Sequence, residues 1–478
     1  MSAVRGSHGR VVAADPDEPH STSRRLDGLT QLGLLIGPLL TMVDSSIVNV
    51  AVADIARELN AGLQAVQWVV SGYLLALAAG LAATSYLARR FGALRVYAIS
   101  MIGFVLASAV CAAAHTVSML IAARVAQGLV GAPLVPMAMS ILLGKNGAAR
   151  RIPVAAGLLF FLAPAIGPSV GGLLIAAGGW RWIFLVNVPI GLVGLFGLRR
   201  IPASAAPGRQ AGARFDPLGL SLLAGGLILT LYGASRGTSH GWLTPATALP
   251  LAVGILLIFA YSVWALHYGQ PIVDLALLRH RQSALALGLS VVSAVVAFAA
   301  VFVLPVFTQT VQRHSALSTG LALLPQGLIT GLGTALGQRL ATRINVRALV
   351  TSGFLVLALA SSGLLLLTTS TPLWATAAIL SGRAVAIGFG ITPLLFAMLE
   401  PLTDAQLADA NTVFNIAQRL GGSLGVGMLG SLLAARAHAV GAITGFHEIG
   451  LILTVLAVVA AGLSLRLAPV RQRAAATP

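Results

Sequence analysis

Thirteen acidic residues are spread through the chain, and one of them, Asp44, falls in the interior of a long apolar run. A carboxylate at membrane depth costs roughly 2.5–3.5 kcal/mol on insertion scales, so such groups face a cavity or a partner and mark function. The chemistry open to a carboxyl group there is proton exchange, because burial disfavours its charged form and a nearby cation favours it. Three arginines also fall inside apolar runs: Arg124, Arg383 and Arg419. At 1.5 Å per residue, Arg124 lies about 10 Å below the helix start near Val117, and Asp44 about 10 Å from the helix exit near Ala51. The two are expected to pair, with Gln127 hydrogen-bonded to the pair; a static ion pair would satisfy the same depths. Arg383 sits near the middle of its run, and Arg419 about 13 Å from the cytoplasmic end of its own, within snorkelling reach. Asn49, Arg383, Asn415 and Arg419 are candidates to line a substrate cavity. One Asp against three Arg predicts anionic or neutral cargo rather than dications.

The elements that must position these residues follow from composition. The chain has 478 residues, 57% hydrophobic and 9% charged, where a soluble chain carries about 25% charged residues. With mean hydropathy +0.91, no water-facing surface can cover a core of this size, which excludes a soluble enzyme and a disordered scaffold. The net charge of +17 needs a soluble basic domain before it can mean nucleic acid, and none is present. One cysteine, Cys111, allows no intrachain disulfide, and the nine scattered His form no metal-ligand spacing. No metal or cofactor is expected. An ATP-driven pump would need a phosphate-binding loop on a soluble domain, and an enzyme an acid or His cluster at one membrane face; neither pattern occurs.

Fourteen segments are long enough to cross a bilayer as helices: 29–52, 67–88, 94–114, 117–143, 152–178, 182–200, 217–236, 246–268, 283–307, 318–341, 347–369, 372–399, 411–435 and 447–467. They are too long and too continuously apolar for barrel strands. Residues 1–28 are polar, without the apolar core of a signal peptide, and read as a disordered cytoplasmic tail. With that tail inside, 22 of the 30 Lys and Arg fall on inner segments, five on outer ones and three within helices. Basic loops stay in the cytoplasm, so both termini are expected there.

The two halves also repeat. Leu87-Ala88-Arg89-Arg90-Phe91-Gly92-Ala93-Leu94-Arg95 is echoed by Leu340-Ala341-Thr342-Arg343-Ile344-Asn345-Val346-Arg347, and Arg124 with Gly131 by Arg383 with Gly390. A parallel repeat of six-helix units is a common plan among secondary transporters. The expected organisation is a six-helix bundle over 29–200, two linking helices within 201–282, a second bundle over 283–467 and a tail over 468–478. The fifth segment carries Gly167, Pro168, Gly171 and Gly172; proline bends such a helix and glycines let neighbours approach closely.

These residues resemble a known family, the fourteen-helix drug/proton antiporters of the major facilitator superfamily. Asp44-Ser45-Ser46-Ile47-Val48-Asn49-Val50-Ala51 is similar to that family's helix 1 motif. Arg124-Val125-Ala126-Gln127-Gly128 matches R-x-x-Q-G, which the family links to proton transfer. Gly167-Pro168-Ser169-Val170-Gly171-Gly172 matches the G-P-x-x-G-G antiporter motif, and Trp180-Arg181-Trp182-Ile183-Phe184-Leu185-Val186-Asn187-Val188-Pro189 follows as in the family. Leu323-Leu324-Pro325-Gln326-Gly327 and Arg419-Leu420-Gly421-Gly422-Ser423-Leu424-Gly425 are similar as well. The resemblance covers residues 29 to 467. It implies an all-α membrane protein of major facilitator fold, a monomer in the cell membrane, exporting a drug, antibiotic or secondary metabolite against inward proton flow. Asp44, Arg124 and Gln127 would couple the proton. A proton-coupled importer of a nutrient is the alternative, disfavoured by the antiporter motif.

Two positions depart from the family pattern. The loop after the second helix reads Ser85-Tyr86-Leu87-Ala88-Arg89-Arg90-Phe91-Gly92-Ala93, with Arg89 where the family carries the acid that latches the cytoplasmic side. Gating residues Arg89, Arg90, Gly92 and Arg95 must therefore rebuild that latch or leave it weaker. The helix 1 motif ends in Ala53 rather than proline, a milder loss.

Overall fold

The computed structural model describes residues 28–143, 167, 170–199, 201, 214–314, 316–341, 343–403 and 406–469. Apolar runs of this length leave a backbone no water to bond, so each must satisfy its own amides as helix. Among the described residues the regular elements are all helical. In order they are α1 (Gly28–Glu58), α2 (Leu63–Phe91), α3 (Ala93–Ala112), α4 (Val117–Gly131) and α5 (Leu134–Leu143). Then come α6 (170–178), α7 (Trp182–Leu185), α8 (Asn187–Leu198), α9 (Pro217–His240) and α10 (Pro245–His267). The rest are α11 (Arg281–Thr310), α12 (Ala316–Ala341), α13 (Val346–Ser362), α14 (Leu373–Leu399), α15 (Leu407–Val440) and α16 (Ala442–Ser464).

Polar side chains set several of the boundaries. Thr116 accepts the Met119 amide at 3.2 Å, Asp216 the Gly219 amide at 2.8 Å and Asn345 the Ala348 amide at 2.7 Å, capping α4, α9 and α13. Gly92 breaks the chain between α2 and α3 at φ +90°, a conformation that a side chain would strain, while its amide closes on Ala88 O at 2.8 Å.

Eleven helices among the described residues are long and apolar enough to span a membrane, and the chain is a multi-pass membrane protein. Residues 182–198 make a shorter apolar helical stretch, and α12 is helical over 26 residues. The span expected at 152–178 lies outside the described residues apart from Gly167 and 170–178, so fourteen crossings stay an expectation. The tails expected over 1–28 and 468–478 also lie almost wholly outside the described residues.

Helices α1, α2, α3, α4, α5 and α8 pack on one another, with α4 against α2 and α8 against α1. A second group forms where α14 receives α12 and α13, α11 packs on α15, and α16 on α13. The pair α9 and α10 stands beside them, and α9 touches both α2 and α15. Only 17% of the apolar window of α10 is buried, which leaves that helix to face lipid. The seam between the two groups is crossed by α15, which meets α2 and α5.

Candidate functional site

Asp44 and Arg124 meet as expected from their depths. Asp44 is on α1, and its Oδ2 accepts a 2.5 Å bond from Arg124 Nη1 on α4; both side chains are fully buried. The arginine also donates to Gln127 Oε1 at 2.7 Å and, through Nε, to the Val69 carbonyl of α2 at 3.0 Å. Its guanidinium carbon lies 3.9 Å from the centre of the Tyr73 ring and 5.6 Å from that of Phe184. The stacked Tyr73 face is an electrostatic partner for the Nη2 group, which has no hydrogen-bond acceptor among the described residues.

The second carboxylate oxygen is held from two directions. Gln127 Nε2 reaches Asp44 Oδ1 at 3.3 Å, and Asn187 Nδ2 from α8 reaches it at 3.0 Å. Both amides also donate to Ser108 Oγ on α3, at 2.7 and 3.3 Å. A single polar cluster therefore ties together α1, α3, α4 and α8, with a backbone contact from α2. An ion pair this deep survives only where hydrogen bonds saturate it, and here the carboxylate accepts from three donors, on Arg124, Gln127 and Asn187. Protonation of Asp44 would remove half of a charge pair and leave Arg124 on Val69 and Gln127.

Glycines make the geometry possible. A Cβ on Gly128, one residue past Gln127, would run into the Tyr73 backbone carbonyl, so only glycine lets α4 come close enough to stack Arg124 on Tyr73. Gly167 and Gly171 pack against Ser46 and Ile47, immediately beyond Asp44 on α1. The glycine motif therefore bears on the helix that carries the acid. Gly172 has open space around it, and Pro168 lies outside the described residues.

Arg89 is the unexpected centre of the basic end. Its Nη1 bonds both Asp409 oxygens, at 2.7 and 2.8 Å, and its Nη2 donates to the carbonyls of Pro271 and Ile272 at 2.6 and 2.9 Å. The Asp274 amide donates to Asp409 Oδ1 at 3.1 Å. One guanidinium thus joins α2, the strap between α10 and α11, and the start of α15. Of the companion residues, Gly92 supplies the turn described above, while Arg90 and Arg95 are exposed.

The cavity candidates separate. Arg383 on α14 is 1% exposed and bonded to the Ser361 hydroxyl and, at 2.8 Å, to the Val296 carbonyl; it lines no open space. Asn415 is partly accessible, with its Nδ2 on the Asn411 carbonyl one turn back at 2.8 Å. Arg419 is partly accessible as well and has no hydrogen bond or ion pair among the described residues. Asn49 lies on α1, five positions past Asp44.

Sequence reasoning missed Ser108, Tyr73, Asn187 and Asp409. Asn187 carried a usable signal, an amide inside the apolar run 182–198. Asp409 had one too: its cost near a span is repaid only by a cation, and Arg89 was the cation without a place. Ser108 and Tyr73 gave none, since isolated Ser and Tyr occur throughout apolar helices.

Known proteins align over nearly the whole chain. The Major Facilitator Superfamily profile matches residues 34–426. A multidrug resistance protein B homolog of Mycobacterium tuberculosis (strain ATCC 25618 / H37Rv) is 30% identical over 430 residues, covering 87% of this chain and 79% of that protein. The multidrug export protein EmrB of Escherichia coli (strain K12) is 31% identical over 406 residues, covering 82% and 78%. Among solved structures, the proton:xylose symporter XylE superposes with TM-score 0.58 at 16% identity, over 89% of this chain and 94% of that one.

Proposed function

The chain belongs to the Major Facilitator Superfamily, a transporter rather than an enzyme, and from that premise we propose that it exports small organic compounds, drugs or antibiotics among them, in exchange for protons. Relatives named for multidrug resistance and export support the direction and the cargo. The observation that carries proton coupling is the Asp44 cluster: a buried carboxylate on an arginine, saturated by amide donors, at the only acid in the interior of an expected span.

In this reading Asp44 takes a proton from outside while the outer face is open. Neutral Asp44 releases Arg124 to Val69 and Gln127, and the loosened contact between α1 and α4 lets the two helix groups rock against each other. Gly167 and Gly171 transmit the shift, since they press on α1 beside the acid. The basic end faces the cytoplasm in the cell membrane, and the contacts of Arg89 with Asp409 and the strap hold that face shut. The latch is thus rebuilt with its polarity reversed: the arginine stands on α2 and the acid on α15. Inverted membrane vesicles test the proposal. With an acid interior the protein is expected to accumulate a compound to which it gives resistance, and a proton ionophore should collapse the accumulation. Accumulation unaffected by the ionophore, or driven only in right-side-out vesicles, would overturn the exchange reading.

A further inference from the structure

We propose that Arg419 selects cargo by charge: the transported compound presents an oxygen acceptor or an anionic group to its guanidinium, and compounds with a fixed positive charge are refused. The inference rests on the exporter reading above and adds the chemical class of the cargo.

Arg419 stands twelve residues into α15, roughly 18 Å along the helix at 1.5 Å per residue. A guanidinium keeps its charge at that depth, and a lone cation there needs a partner. The described residues offer none. Asp44 is spent on Arg124, Asp409 on Arg89 and Glu448 on Arg436. Asp54 pairs with Arg57 and Glu58 with Arg181. Asp216 caps α9, Asp274 accepts the Ala276 amide, and Glu400 is exposed at the end of α14. The remaining acids, Asp15, Asp17, Glu18, Asp27 and Asp404, lie outside the expected spans.

Location separates Arg419 from the other uncompensated arginine. Arg383 is sealed and spends its donors on Ser361 and Val296, whereas Arg419 is partly accessible and spends none. It ends a polar stripe, Asn411, Asn415 and Arg419, spaced four residues apart on one face of α15. Ala408 and Ile416, on neighbouring positions of that helix, pack into the core of the first helix group. The Tyr73 hydroxyl lies within electrostatic range of Arg419, and also of Asp44 and Arg124. Among the described residues Arg419 is therefore a fork of donors without an acceptor at the seam, one tyrosine away from the proton site.

Cationic cargo at this place would meet Arg419 in every state and a second unneutralised charge, Arg124, once Asp44 is protonated. Like charges within about 10 Å in a medium of effective permittivity near 20 repel strongly enough for roughly a tenfold or larger loss of affinity. A carbonyl, nitro, phenolate or carboxylate oxygen instead gains the donors that the described residues leave unused.

Resistance in an efflux-deficient bacterial host expressing the full chain tests this. The probes are ethidium and benzalkonium as fixed cations, chloramphenicol as a neutral acceptor, and nalidixate and fusidate as anions, with cell-associated compound measured alongside. Wild type is expected to protect only against neutral or anionic probes, Arg419→Gln to lose that protection, and Arg419→Glu to gain protection against ethidium. Membrane abundance of each variant controls for folding, and the wild-type selectivity is itself decisive should a variant fail to insert. Protection by wild type against either fixed cation, protection unchanged in a well-inserted Arg419→Gln, or no effect on the cell-associated amount of any neutral or anionic probe would overturn the proposal. A wild-type protein that raises cell-associated chloramphenicol or nalidixate while ignoring the cations would instead reverse the exporter reading and leave the charge selection standing.

Discussion

Arg124 and Arg383 occupy echoing places in the two helix groups, and they are solved in opposite ways. Both are buried, and each donates to a valine carbonyl on a neighbouring helix, Val69 for Arg124 and Val296 for Arg383. The first then meets a carboxylate, a glutamine and an aromatic face; among the described residues the second meets a serine hydroxyl alone. A cation on neutral partners has one charge state. A cation on a carboxylate that other donors also hold belongs to a cluster with two. The two arginines therefore share one anchor, and the acid on α1 sets one of them apart; in the exchange mechanism proposed above, that copy is the one that responds to protons.

The largest break in that comparison is Arg124→Gln. It leaves Asp44 buried without its counter-ion, a loss of about 3–5 kcal/mol when one partner of such a pair is removed. A sharply lower melting temperature in detergent and no uphill transport are expected, with stability recovered in part by adding Asp44→Asn. Next is the reversed latch. Arg89→Asp sets two acids against each other beside the strap, and transport should fall to a few per cent of wild type on the like-charge cost alone. Adding Asp409→Arg should restore a large share, read as vesicle transport in a double-mutant cycle; failure of the swap to rescue would mean that the carbonyls of Pro271 and Ile272 dominate the contact.

What could be read without coordinates divides along physical lines. The all-helical membrane class followed from composition, because no other structure satisfies backbone amides in lipid. The Asp44–Arg124 pair was legible because buried charges are rare enough for depth alone to match them. Ser108 and Asn187 complete the cluster, yet a serine in an apolar helix has many harmless uses. Arg89 looked like a loss when compared with the family pattern, since its acid lies 320 positions away, and only packing of α2 against α15 brings them together. Arg383 and Arg419 were equal candidates to line a cavity; burial separates them, and burial depends on rotation about each helix, which apolar runs hydrophobic all round do not encode.

Smaller effects sharpen the contrast. Arg383→Gln keeps a donor near Ser361 and Val296 and should cost about 1–3 kcal/mol, lowering the melting temperature while the dependence of transport on the proton gradient stays as in wild type. Loss of that dependence would erase the distinction between the two arginines. Asn187→Ala removes one of three donors from Asp44, worth about 1.5–3 kcal/mol to a charged acceptor. Uphill transport in vesicles should persist at a reduced rate; transport at the wild-type rate would show that Asn187 contributes nothing to the cluster.

The central claim is that Asp44 is the proton carrier, and Asp44→Asn tests it most directly, because the amide keeps the shape and cannot titrate. Reconstituted into liposomes, this variant is expected to exchange labelled cargo for unlabelled cargo down its own gradient and to accumulate none against a gradient when a pH difference is imposed. Accumulation at the wild-type level under that pH difference would contradict the account.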